Sequence, residues 1–146
     1  MDVSGVRFGT LLKVRKYQEQ KAQEELSQIR IQKLREEEAL SELAEKRDEE
    51  ISTSPQKGKV QAADVQVSRA FIRKLTKEIQ AQRKKINEIQ KQEETKTDEV
   101  VERKKAKEMI ETLEERYQTQ LAREKDRKEQ RLMDVLAQRT NSENSK

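Results

Sequence analysis

A chain of 146 residues with 42% charged, 31% hydrophobic and 3% aromatic residues has too little apolar surface for a single-core globular domain, which would hold roughly 45–50% apolar and about 25% charged residues. It has no cysteine and no histidine, so disulfides, thiolate metal sites and the commonest general base are excluded; no metal, no cofactor and no catalysis are expected. Its net charge of +4 comes from 33 basic and 29 acidic residues interleaved along the chain, the pattern of a solvated helix surface, so no nucleic-acid partner is expected.

The N-terminal stretch MDVSGVRFGTLLKVRKYQEQ lacks an apolar targeting core. No segment approaches the roughly 20 apolar residues of a membrane span, and a cytoplasmic location is the expectation. Gly5 and Gly9 mark the entry to a first helical arm over 6–51, rich in Glu, Lys, Gln, Arg, Leu and Ala, which lose little side-chain freedom in a helix. Leu12, Ala22, Leu26, Ile29, Leu40 and Leu43 share one heptad register, interrupted by Arg15, Glu19, Lys33 and Glu36. This arm carries 10 basic and 11 acidic residues.

The strongest punctuation follows at 52–59, Ser-Thr-Ser-Pro-Gln-Lys-Gly-Lys, with the sole proline. Pro55 removes a backbone donor and turns Ser54 away from helical dihedrals, and Gly58 tolerates positive φ, so this segment reads as a helix–helix connection.

A second arm over 60–138 carries 19 basic and 16 acidic residues. Its residues Ile72, Leu75, Ile79, Gln82, Ile86 and Ile89 alternate in steps of three and four, a coiled-coil seam. Beyond Ile89 the register reads as lost, with Glu93 and Lys96 at seam positions, and apolar residues resume at Val100, Ile110, Leu113, Tyr117, Leu121, Leu132, Val135 and Leu136. Residues 139–146 read as a disordered polar tail.

The short connection favours intramolecular pairing, and the fold class is all-α: a long antiparallel two-helix coiled-coil hairpin with a C-terminal helical overhang, a monomer in isolation. Folding back at residue 55 or 56 pairs positions whose numbers sum to about 111, setting Leu40 near Phe71 and Leu26 near Ile86. Residues from about 105 to 138 then lack a partner in the first arm and would extend on the order of 50 Å. The polar interruptions predict low cohesion for the seam's length.

The opening VRFGTLLKVRKYQEQKAQEEL, an aromatic and paired leucines before basic residues and a long Glu/Gln/Ala helix, resembles the start of the FliJ family. The resemblance covers nearly the whole chain in length, two-arm layout and lack of Cys and Trp. It implies a central stalk-like component of the flagellar protein export apparatus. Such a stalk sits in the hexameric export ATPase, touches the membrane export gate protein at the cytoplasmic face of the inner membrane, and escorts export chaperones. By that resemblance Phe71 and Leu75, in SRAFIRKLTKEI, are the gate-binding residues, although Glu78 and Gln82 further along depart from the more apolar family pattern. The ATPase ring would meet Phe8, Leu11, Leu12, Tyr117, Leu121, Arg123, Arg127 and Arg131. An injectisome stalk protein, or a generic coiled-coil tether, remains open on the residues alone.

Overall fold

The computed structural model describes residues 3–53 and 62–144, all of them helical. Helix α1 is Val3–Thr53 and helix α2 is Ala62–Asn144. Pro55 and Gly58 of the expected connection lie outside the described residues, while Ser52 and Thr53 close α1 with their hydroxyls donating to the carbonyl of Glu49. α2 runs through Asn144, past the expected end at 138, with every side chain after Leu121 exposed. Along α2 the hydroxyls of Thr76, Thr97 and Thr119 donate to the carbonyl one turn back.

The chain forms two compact units, a hairpin unit of Gln20–Glu102 and a terminal unit of Met1–Glu19 with Arg103–Lys146. In the hairpin unit the two helices run antiparallel, and its buried apolar residues are Ala22 and Leu26 on α1 and Leu75, Ile79 and Ile89 on α2. Ile79, 1% exposed, is the most enclosed of them. In the terminal unit the antiparallel pair closes on Phe8 and Tyr117, whose rings stand 5.6 Å apart at a tilt of 49°, a favourable edge-biased arrangement.

Inward-facing residues recur in steps of three and four without a stutter. In the hairpin unit they run from Ala22 to Glu50 on α1 and from Val65 through Glu93 and Lys96 to Val100 on α2; in the terminal unit they run from Phe8 through Leu12 and Arg15 to Glu19 on α1 and from Arg103 through Lys107 to Leu121 on α2. The second arm therefore keeps the register that appeared lost beyond Ile89. Polar residues occupy the seam in place of apolar ones, and the overhang begins only after Leu121.

Those polar residues pair across the helices. Ser68 donates to Glu50 at 2.9 Å. Gln82 donates to the Glu36 carbonyl at 2.9 Å and Lys85 meets the Glu36 carboxylate at 2.9 Å. Glu93 receives Lys33 at 3.1 Å and Arg30 at 3.7 Å, and Lys96 bridges Glu25 and Glu99. In the terminal unit Lys107 meets Glu19 at 2.6 Å.

These partners overturn the expected offset. A fold-back at 55 or 56 would set Glu36 against Leu75, but Glu36 takes Gln82 and Lys85; it would set Phe8 against Arg103, but Phe8 takes Tyr117. The charged layers favour the observed offset because a mispaired charge in the seam is costly. Spin labels at Gln28 and Glu94 are accordingly expected to lie closer in a monomer than labels at Gln28 and Arg83. The reverse order would restore the shorter offset.

Candidate functional site

Leu75 is 3% exposed and packs in the seam, so it offers no surface to a partner while the hairpin is folded; its pairing with Phe71 as one exposed patch is corrected. Its place follows from the heptad, since Ile72, Leu75 and Ile79 are successive seam positions. Phe71 is 41% exposed, and Val67, one turn earlier on the same face, is 69% exposed. Val67 was not singled out from sequence, although its i, i+4 spacing to Phe71 is the signal that finds it.

The residues assigned to an ATPase contact divide similarly. Phe8 and Tyr117 spend part of their surface on each other, and Leu12 and Leu121 are half-buried in the terminal seam. Leu11 is exposed, as are Arg123, Arg127 and Arg131. Arg123 and Arg127 line a shallow groove along α2 with Arg116, Thr119 and Gln120. Past Leu121 the exposed apolar residues are Leu132, Met133, Val135 and Leu136, clustered within one and a half turns.

The electrostatics of the seam are those of paired, water-accessible ions. The hydrogen bond from Lys96 holds the Glu25 carboxyl below its ordinary range, and the bonds from Gln82 and then Lys85 do the same for Glu36. The Glu25 bond in turn raises Lys96, and the Glu19 bond raises Lys107. A carboxyl lowered in the folded state adds stability above its ordinary pKa and loses it as pH falls through the folded value; a raised lysine loses its contribution as pH rises through its folded value. Helix content followed by circular dichroism is expected to decline as pH drops below the usual glutamate range. The variant Glu25→Gln/Glu36→Gln should shallow that acid limb, and an unchanged limb would remove these pairs from the account.

Among the described residues no group of acidic, histidine or cysteine side chains is placed to hold a metal ion, and no helix is long and apolar enough to cross a membrane. Two long helices packed against each other through a three-and-four seam define an all-α helical hairpin of the coiled-coil class. The family model for the flagellar FliJ protein matches residues 4–146, and the chain belongs to that family, a component of the flagellar protein export apparatus. No curated protein and no solved structure matched the chain.

Proposed function

We propose that this protein is the central stalk-like element of the flagellar export apparatus. In this reading it couples the hexameric export ATPase to the membrane export gate protein at the cytoplasmic face of the inner membrane, and it escorts export chaperones. The observation that carries the reading is the α2 segment after Leu121, which among the described residues has no helix against it and presents Leu132, Met133, Val135 and Leu136 to solvent. An isolated helix with such a stripe calls for a partner to bury it. The ring is its occupant, with Arg123, Arg127 and Arg131 beside it. Phe71 with Val67 is the gate contact.

The test is binding of the purified export ATPase to the variant Leu132→Asp/Leu136→Asp. Both residues are exposed, so helix content should hold while affinity falls by about tenfold or more, as for a buried apolar anchor. Undiminished binding would remove this segment from the ring.

A further inference from the structure

The two flanks of the terminal unit differ in composition. Flanking positions of the seam fall on two sides of an antiparallel pair, conventionally c and g on one and b and e on the other, and g positions of the two helices face each other. The contact of Gln18 with Arg103 at 3.5 Å places the c and g side of α1 against α2.

On the c and g flank α1 carries Arg7, Leu11 and Val14, and α2 carries Ala106, Met109, Leu113, Arg116 and Arg123. Leu11 is 43% exposed, Val14 47%, Met109 64% and Leu113 42%, so four aliphatic side chains from two helices line one trough without covering it. Every charged residue at these positions, from Arg7 to Val14 and from Ala106 to Arg127, is an arginine. On the opposite flank Lys13, Lys16, Lys104, Glu108, Glu111 and Glu115 mix the signs, and no aliphatic residue larger than alanine occurs between Lys104 and Ala122.

We infer that the c and g flank of the terminal unit is the docking surface for an acidic amphipathic helix of a partner protein. A third helix laid along the trough sets its apolar ridge between Leu11 and Val14 on one side and Met109 and Leu113 on the other. Its carboxylates then meet Arg7, Arg116 and Arg123, whose forked donors suit carboxylates. A lipid surface is disfavoured because the apolar residues are shared between two paired helices, whereas interfacial membrane binding uses the continuous apolar face of one amphipathic helix. This surface shares Arg123 with the proposed ring contact, but the two fail separately: loss of ATPase binding in the Leu132 and Leu136 variant would leave Leu11, Val14, Met109 and Leu113 unchanged.

The test uses the full chain and a fluorescein-labelled synthetic peptide of about 21 residues, three heptads, with leucine at the seam positions and glutamate beside them. Binding is followed by fluorescence anisotropy. Met109→Glu/Leu113→Glu is expected to weaken binding at least tenfold, while Gln118→Glu/Ala122→Glu, the same charge change on the other flank, leaves it within about twofold. Arg116→Gln/Arg123→Gln, which leaves the apolar residues in place, should weaken binding and flatten its salt dependence. Circular dichroism checks that each variant keeps its helix content. Equal weakening by both glutamate pairs, equal binding of a lysine-substituted peptide, binding only to vesicles of phosphatidylcholine with phosphatidylglycerol, or a dimer of this chain buried at Met109 and Leu113 would each overturn the proposal.

Discussion

Replacing Ile79 with alanine is expected to destabilise the hairpin unit by roughly 2–5 kcal/mol, the range for truncating a buried aliphatic residue. Ile79 is 1% exposed, and among the described residues the other buried apolar side chains are Ala22, Leu26, Leu75 and Ile89, so few buried neighbours can refill the space it leaves. Alanine is the better helix former by several tenths of a kcal/mol, which means that any loss reports packing between helices and not the helix itself. A two-helix pair buries little surface, so a loss of this size is a large share of the whole stability. Thermal and urea unfolding followed at 222 nm should show a clearly lower midpoint, whereas Leu34→Ala, at a residue 59% exposed, should shift it little. Equal shifts for the two variants would mean that the seam does not hold the helices together.

Separating Phe71 from Leu75 should yield the second large effect. Phe71→Ala removes a ring that is 41% exposed, and Leu75→Ala removes a side chain that is 3% exposed. On the proposed gate contact, Phe71→Ala weakens binding to the purified cytoplasmic part of the export gate protein by about 2–4 kcal/mol, as for an aromatic hot spot, with little change in the melting curve. Leu75→Ala lowers the melting temperature instead, and its binding returns on cooling to where the hairpin folds. Val67→Ala, one turn away, should show a smaller loss of the Phe71 type. If Phe71→Ala binds the gate protein as tightly as the parent, the contact lies elsewhere on the chain.

The division between these two residues was half legible in the sequence. Leu75 stands in the unbroken spacing Ile72, Leu75, Ile79, which names it as a seam residue, and Phe71 stands one place outside that spacing. The resemblance to the FliJ family joined them as a surface pair, and burial separates them. Tyr117 and Phe8 illustrate the opposite case. Both were legible as apolar residues near the ends of the arms, but their contact at 5.6 Å depends on an offset that neither position encodes locally.

Composition, the proline-bearing break and the three-and-four spacing were enough to determine two long helices and their apolar stripes. These are local properties: helix propensity and stripe direction depend on residues within a turn or two. The offset between the helices, the survival of the seam past Ile89 through charged layers such as Lys33 with Glu93 and Glu19 with Lys107, and the arginine-rimmed trough on one flank were decided only by tertiary structure. A heptad stripe matches itself after every slip of seven residues, so the register emerges from many weak cross-helix pairings summed over distant parts of the chain.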